Sequence, residues 1–167
     1  MAASAIRFVG LLLIALLVGT MFGLWIGFDP ASLSSVAYVE LMQGLIRALN
    51  VPLPLLGFIC IVLTALLALL TRSDRRGRNL LIAAVLCLVI AALVTRFGNQ
   101  PINAVVMTWT PQAPDANWTE LRDAWWRWHV VRTLAGVLAL ALVLLAAVAR
   151  RDDVLAAPPL PRADGAR

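Results

Sequence analysis

The side chains best suited to chemistry are concentrated in one segment, which runs from Arg96 to Arg132. It holds the only histidine of the chain and five of its six tryptophans, together with several arginines and carboxamides. From residue 118 onward, spacings of three and four place six residues on one face of a helix: Trp118, Arg122, Trp125, His129, Arg132 and Gly136. Any polar chemistry in this apolar chain is therefore expected where this segment meets the apolar runs.

His129 and Arg132 lie where this face enters an apolar run, so they are candidate functional residues. A cation inside a membrane is costly, by roughly 2.5–3.5 kcal/mol at mid-bilayer on insertion scales. Arg132 is therefore expected either to face the interior of a helical bundle, forming a pocket with His129, or to extend toward the lipid headgroups. Trp126 and Trp128 fit an aromatic belt, and Arg127 fits an interfacial anchor.

Carboxamides and one carboxylate are further candidates for a binding pocket. Asn99 and Asn103 are one helical turn apart at the end of the third apolar run. Asn99 is either only a helix cap or, together with Asn103, a carboxamide that hydrogen-bonds a carbonyl or phenol of a ligand. Glu40 and Gln43 belong to the polar stripe of an amphipathic segment, residues 34–50. That stripe faces either water or a pocket between the spans.

Four apolar runs must position these residues. Hydrophobic residues make up 62% of the 167-residue chain and the mean hydropathy is +0.89, above the roughly 45–50% apolar share of soluble domains. Because lipid cannot satisfy free backbone amides, each run is predicted to be a spanning helix. We therefore predict an all-α fold, a four-helix transmembrane bundle with an interfacial amphipathic helix between spans one and two and a short helix between spans three and four.

The predicted boundaries follow the apolar runs. They give spans at about 5–28, 51–71, 79–97 and 125–149 and an interfacial helix at about 31–49. Residues 1–150 are predicted to form one membrane domain, followed by a disordered cytoplasmic tail over residues 151–167. The first run exceeds the roughly 7–15 apolar residues of a secretory signal, and no Ala-x-Ala site follows it, so a retained helix is expected.

The basic residues indicate an orientation in the membrane. The net charge is +5, and arginines lie in the loop TRSDRRGR at residues 71–78 and directly after the last run, at Arg150 and Arg151. Basic residues beside spans mark the cytoplasmic side. Both termini are therefore predicted to be cytoplasmic in a bacterial inner (plasma) membrane, and nucleic acid is not an expected partner.

Cysteine and histidine usage argues against redox and metal chemistry. Cys60 and Cys87 lie inside apolar runs without C-x-x-C spacing, which favours two buried thiols over a redox pair. One histidine without neighbouring thiols falls short of the three or four ligands of a typical metal site. A haem with His129 as its one axial ligand is compatible with the residue count but has no other support. No cofactor is predicted.

The first span carries glycines at positions 19, 23 and 27. A doubled G-x-x-x-G favours close approach of another helix backbone, and the alternative is that it leaves room for a flat ligand. A homo-oligomer is left open as a further partner.

The second half of the chain resembles a known family. The motif is Asn99-x-Pro101-x-Asn103, then Trp109 and Trp118, then Trp125/Trp126-x-x-His129-x-x-Arg132. This pattern is similar to the anthrone oxygenase-like family of small four-span integral membrane proteins. The similarity covers spans three and four with their connection, and the first half mainly in the order of its spans.

The resemblance implies a reaction and a site. Fungal members of the family oxidise anthrones to anthraquinones with O₂ and no recognised metal or flavin. By position, the resemblance places Asn99, Asn103, His129 and Arg132 in the site. The residue types together with the family likeness give a hypothesis in which His129, if neutral, removes a proton from an acidic C–H substrate and Arg132 stabilises the resulting oxyanion. In the same hypothesis Asn99 and Asn103 hydrogen-bond the oxygens of the substrate, and Trp125 provides a stacking surface.

Two functions therefore compete at the level of sequence. The first is a cofactor-independent oxygenase or oxidase of a small aromatic or lipophilic molecule, with its pocket at the outer membrane face. The alternative is a non-catalytic protein that binds a lipid or quinone, or that assists another membrane complex. In either case the expected partners are the lipid bilayer and a small lipophilic or aromatic molecule.

Overall fold

A computed structural model describes residues 2–72 and 74–156 of the chain. Within these residues the fold is all-helical and contains no β-strand, which confirms the predicted fold class. A 3₁₀ turn at Pro30–Ser32 and a π-helical turn at Thr95–Asn99 interrupt the α-helices. The α-helices in the described part are α1 (Ala2–Gly27), α2 (Ser35–Leu49), α3 (Pro52–Leu70), α4 (Arg75–Val94), α5 (Gln100–Val106) and α6 (Trp118–Ala156).

Four helical segments are long and apolar enough to cross a membrane. Their most apolar windows have mean hydropathies between 2.4 and 2.8. They are Ala5–Ser32, Pro52–Leu70, Arg75–Val106 and Trp118–Ala149. The protein is therefore a multi-pass membrane protein. Of the tail predicted for residues 151–167, residues 151–156 belong to α6, and residues 157–167 lie outside the described residues.

Short side chains fix where three of the helical segments begin. The Asp29 carboxylate accepts from the Ala31 N–H at 3.1 Å, the Ser34 hydroxyl from the Ala37 N–H at 3.3 Å, and the Asp74 carboxylate from the Gly77 N–H at 2.8 Å. Each acceptor satisfies a backbone donor that has no partner within its own helix. Asp29 caps only the 3₁₀ turn, so α2 starts later than the predicted residue 31.

The buried apolar residues form two clusters at different heights. The bundle cluster joins α1, α3, α4 and α6 and includes Ile14, Cys60, Ala84, Leu88 and Ala139. The cap cluster joins α2, α5 and the first turns of α6, and includes Tyr38, Met42, Val106 and Trp125. Apolar burial does not drive association in lipid, so fully buried small residues such as Ala84 and Ala139, which permit close helix packing, stabilise the bundle.

The third span continues past the residue where we expected it to end. Helices α4 and α5 form one segment through the π-helical turn, in which the Gln100 N–H donates to the Thr95 carbonyl five residues earlier. Pro101 has no N–H, and in an α-helix its ring would meet the carbonyl of Phe97. The wider turn relieves that clash, so the helix carries Asn99 and Asn103 beyond the apolar run instead of stopping at Gly98.

The glycine face of α1 is open. Gly19, Gly23 and Gly27 are exposed, and a Cβ atom added at any of them would meet nothing within 4 Å. The doubled G-x-x-x-G therefore packs against no other helix in the described part of the chain, and these glycines do not line the cavity described below.

Candidate functional site

A cavity of about 240 Å³ lies between the bundle cluster and the cap cluster. This volume is slightly below the roughly 300–1,000 Å³ of sites for drug-sized ligands, so it suits a small molecule. Most of its wall is apolar and comes from α1, α2, α3 and α4. Its polar lining residues are Asn50, Thr95, Arg96, Gln100, Asn103, Trp125 and Arg132.

The cavity reaches the outer surface of the bundle. Phe58 and Pro54 on α3 and Ala92 on α4 line it and are exposed, and Phe58 has 63% of its surface exposed. In a bilayer this surface faces lipid, so a lipophilic ligand has a route from the membrane to the cavity.

The structure brings His129 and Arg132 together inside the bundle. His129 is fully buried, and Arg132 is 9% exposed and lines the cavity. Arg132 donates from Nε and Nη2 to His129 Nδ1, at 3.2 and 2.9 Å. His129 Nε2 lies 3.1 Å from the Met21 carbonyl oxygen on α1. A carbonyl only accepts, so Nε2 carries the proton and Nδ1 is the acceptor, an assignment made from the hydrogen-bond partners.

Trp125 holds this pair from one side. Its ring stacks on the His129 imidazole with 5.1 Å between centroids and 3° between planes. The Arg132 guanidinium carbon lies 5.7 Å from the centroid of the same ring, within the range of a cation–π contact. The predicted stacking surface therefore contacts both members of the pair, and it also lines the cavity.

A chain of hydrogen bonds links three helices at the polar end of the cavity. The Trp125 indole N–H donates to Asn103 Oδ1 at 2.8 Å, and Asn103 Nδ2 donates to Asn50 Oδ1 at 3.0 Å. Asn103 lies on α5, Trp125 on α6, and Asn50 directly follows α2. Both polar atoms of the Asn103 side chain are thus engaged while the residue still lines the cavity.

Asn99 lies beside the cavity and does not line it. It is fully buried, and its Nδ2 donates to the Trp125 carbonyl at 3.0 Å. Its Oδ1 has no hydrogen-bond partner among the described residues. Asn99 therefore connects the π-helical turn to α6 beside the site. This arrangement differs from the predicted one, in which the Asn99 carboxamide contacts a ligand directly.

Glu40 and Gln43 do not line the cavity. Glu40 is exposed. Gln43 donates from Nε2 to the backbone carbonyls of Val106 and Trp109, at 3.0 and 2.9 Å. These bonds fasten α2 to the C-terminal end of α5, so Gln43 positions the helices that cover the cavity.

Four of the polar residues that line the cavity were not among the candidates from the sequence: Asn50, Thr95, Arg96 and Gln100. Thr95 ends the third apolar run, so its pattern indicated only a spanning helix. Arg96 and Gln100 belong to the polar segment between the last two spans, and that position was the signal that could have identified them. Asn50 ends the amphipathic helix, and its partner Asn103 is 53 residues away, so nothing local indicates its role.

The remaining aromatic and basic residues divide between lipid and interior. Trp128 is 44% exposed and Arg127 is exposed, consistent with their expected interfacial positions. Trp126 instead packs inward, 5.5 Å from the His129 ring centroid and 6.1 Å from that of Phe28. Among the described residues, no group of three His, Cys, Asp or Glu side chains is arranged to hold a metal ion.

Four spanning helices, a helix that covers one end of them and a cavity beneath it define a small multi-pass membrane protein. Residues 42–142, more than half of the chain, match the model of the anthrone oxygenase family. The chain therefore belongs to that family, which confirms the resemblance seen in the sequence. No curated protein and no solved structure matches the chain.

Proposed function

We propose that this protein is a membrane-embedded oxygenase or oxidase of a small, planar, lipophilic molecule that reacts with O₂ directly. The observation that supports this most is the cavity, in which an apolar wall ends at the buried Arg132 guanidinium, in a chain of the anthrone oxygenase family. A flat apolar molecule with one oxygen substituent matches a cavity of this composition.

The proposed reaction is the oxidation of a CH₂ group that is linked to a ketone through aromatic rings, as in anthrone. Loss of one proton gives an electron-rich enolate, whose carbon forms a bond to O₂. The peroxide anion that results takes up a proton to give a hydroperoxide, which then loses water, so one oxygen atom remains in the new carbonyl group and the other leaves as water. Negative charge develops on the substrate oxygen in the first step, and a preorganised donor at that oxygen lowers its free energy. Arg132 is that donor in our proposal, and Trp125 and Asn103 bound the same part of the cavity.

The test is turnover of anthrone by the full chain in lipid nanodiscs. We expect O₂ uptake and formation of anthraquinone above the rate in empty nanodiscs. Arg132→Gln should lower the rate by about 10²–10³-fold, the typical effect of removing one oxyanion donor. Arg127→Gln removes the same charge from an exposed position of the same helix and should leave the rate unchanged. Equal rates in loaded and empty nanodiscs would reject an anthrone oxygenase.

The exposed wall of the cavity also favours the second function, binding of a lipid or quinone without chemistry. Phe58 and Pro54 give a hydrophobic molecule access from the bilayer. Mass spectrometry of small molecules carried through purification separates the two functions. A lipophilic molecule retained in the protein, together with no O₂ uptake, would favour binding.

We propose a bacterial inner (plasma) membrane location with both termini in the cytoplasm, and the distribution of arginine supports this orientation. Arg72, Arg75, Arg76 and Arg78 flank the connection between α3 and α4, and basic residues beside spans stay on the cytoplasmic side. The cavity and α2 lie at the opposite end of the bundle, so the site is proposed to lie toward the outer face.

A further inference from the structure

The cavity carries positive charge without a carboxylate. Two arginines line it, Arg132 in the interior and Arg96 at an exposed position, and no aspartate or glutamate is among its lining residues. Among the described residues, no acidic side chain lies within 4 Å of the Arg132 guanidinium. A buried cation without a counter-ion loses the hydration it would have in water and gains no ion pair. The cavity therefore favours an occupant that supplies negative charge.

His129 is arranged to hold Arg132. Its Nδ1 accepts two N–H groups of the guanidinium, its Nε2–H donates to the Met21 carbonyl, and its ring is stacked on Trp125. Both nitrogens are engaged, so no imidazole lone pair is available to a molecule in the cavity. The neutral imidazole instead orients the guanidinium and leaves its other N–H groups available.

We propose that the cavity binds its ligand as an anion, that Arg132 is the internal counter-charge, and that His129 is a positioning residue for Arg132. The ligand class is a planar lipophilic molecule with one ionised oxygen group, such as a phenolate, an enolate or a carboxylate. That this ligand is also the substrate rests on the proposed function. The preference of the cavity for an anion does not rest on the proposed function, because it follows from the composition of the cavity.

A consequence concerns the first step of the proposed reaction. The described lining residues include no carboxylate, and the imidazole lone pair is occupied by Arg132. Proton loss is therefore driven by stabilisation of the anion: the guanidinium binds the ionised form preferentially and so raises its population. The proton is lost before the molecule binds, or it passes to water at the polar end of the cavity, where Asn50, Arg96 and Gln100 lie. This differs from the role of base predicted for His129 from the sequence.

Direct binding of two matched probes tests the selection of charge. The probes are anthracene-9-carboxylate and the neutral anthracene-9-carboxamide, measured with the wild-type chain in nanodiscs by energy transfer from tryptophan, with empty nanodiscs to subtract partition into lipid. We expect the carboxylate to bind at least about tenfold more tightly, since a charge-assisted hydrogen bond in a desolvated site is much stronger than a neutral one. Equal affinities, preference for the amide, or no binding of either probe would overturn the proposal.

Two variants then assign the preference to a named group. Arg132→Met should remove it, and Arg127→Gln, which deletes an exposed arginine of the same helix, should retain it. A preference that survives Arg132→Met would overturn the role of Arg132. The wild-type comparison of the two probes remains decisive if Arg132→Met does not fold.

Two substitutions of His129 distinguish positioning from proton transfer. In His129→Asn the Oδ1 atom takes the place of Nδ1 and still accepts from Arg132, although it cannot act as a base. In His129→Gln the amide takes the place of Nε2 and leaves Arg132 without its acceptor. We expect Asn to retain most of the preference for the carboxylate and Gln to lose most of it. The reverse order, or equal loss in both, would overturn the positioning role.

The outcome is separable from that of the oxygenase test. Preferential binding of the carboxylate without O₂ uptake would leave the charge selection in place and reject the oxygenase. Turnover of anthrone together with equal binding of the two probes would support the oxygenase and reject the charge selection.

Discussion

Tyr38 places a hydroxyl group in the cap cluster without a hydrogen-bond partner among the described residues. It is the only tyrosine of the chain, it is fully buried, and its ring lies 5.8 Å from that of Trp118. Burial raises the pKa of its phenol well above the ordinary value, with a smaller opposing effect from Arg122 and a further increase from Asp123. The aromatic ring therefore stabilises the fold by packing, whereas the buried hydroxyl without a partner destabilises it.

We therefore expect Tyr38→Phe to stabilise the protein. Burying a hydroxyl without a partner costs about 1–3 kcal/mol in mutational data, so the free energy of unfolding should rise by about 1 kcal/mol near neutral pH. Reversible unfolding in detergent measures this. Tyr38→Leu is the control, because it removes the hydroxyl and also the ring that packs on Trp118, and it should destabilise. A loss of stability in Tyr38→Phe would show that the hydroxyl has a partner.

The difference in stability between Tyr38→Phe and the wild type is expected to depend on pH. The unfolded chain loses the tyrosine proton above about pH 10, whereas the folded chain keeps it because the pKa of Tyr38 is raised. Above that pH the unfolded state binds fewer protons than the folded state, so the stability of the wild type falls as pH rises. This part of the fall should be absent in Tyr38→Phe when both proteins are compared between about pH 9 and pH 11.

At the level of single residues, sequence indicates pairs that are close along one helix. His129 and Arg132 are three residues apart, so a helix brings them together whatever surrounds it. The Met21 carbonyl that fixes the His129 tautomer is 108 residues away, and the Val106 and Trp109 carbonyls that bind Gln43 are 63 and 66 residues away. Such partners depend on how the helices pack. For this reason sequence could propose His129 as a base but could not show that its lone pair is occupied.

At the level of elements, Gly98 permits a close contact between the third and fourth spans. It lies in the π-helical turn, and a Cβ atom there would approach Trp128 Cγ to 2.6 Å. The ring would have to leave its rotamer, or the two helices would have to separate. The hydrogen bond from Asn99 to the Trp125 carbonyl is formed at the same crossing, so separation would also disturb the site.

We expect Gly98→Ala to destabilise the protein by about 1–3 kcal/mol, the usual cost of overpacking a close contact. Gly23→Ala on α1 is the matched control, since nothing lies within 4 Å of its added Cβ atom, and it should be neutral or slightly stabilising because alanine favours helix. Thermal unfolding in detergent compares the two variants. If both substitutions had equal effects, the close approach at Gly98 would not contribute to stability.

Sequence predicted the existence of the helices better than their junctions. The apolar runs indicate four spans because the requirement to satisfy backbone groups in lipid leaves few alternatives. The junction at Phe97–Gly98 looked like a helix end, since glycine is common there and Pro101 follows. Tertiary contacts with α6 instead favour a continuous helix with a π-helical turn, and these contacts are not visible in a local pattern.

At the level of the whole molecule, charge and polarity are separated along the membrane normal. The arginine-rich connection between α3 and α4 lies at one end of the bundle, and α2, α5 and the loop that follows α5 lie at the other. The cavity opens in the half nearer α2, where residues of α3 between 53 and 61, and of α4 and the π-helical turn between 88 and 96, line its wall. The positive-inside rule therefore predicts both the orientation of the chain and the side on which the cavity lies.

Labelling of single cysteines tests this orientation. We expect Gln112→Cys, in the exposed loop before α6, to react with a membrane-impermeant maleimide in intact bacterial cells. Arg76→Cys, at an exposed position at the start of α4, should react only after the membrane is permeabilised. Both variants are made after Cys60 and Cys87, which lie within the spans, have been replaced by alanine.

The two positions lie at opposite ends of the bundle, so only one of the two cysteines reacts in intact cells, and which one reacts depends on the orientation. Each variant therefore serves as the control for the other. Arg72, Arg75 and Arg78 remain in Arg76→Cys, so most of the charge that determines topology is retained. Labelling of Arg76→Cys and not of Gln112→Cys in intact cells would reverse the topology and place the cavity in the cytoplasmic half of the membrane. An anionic ligand would then have to come from the cytoplasmic leaflet, where anionic lipids would compete for Arg132 and Arg96.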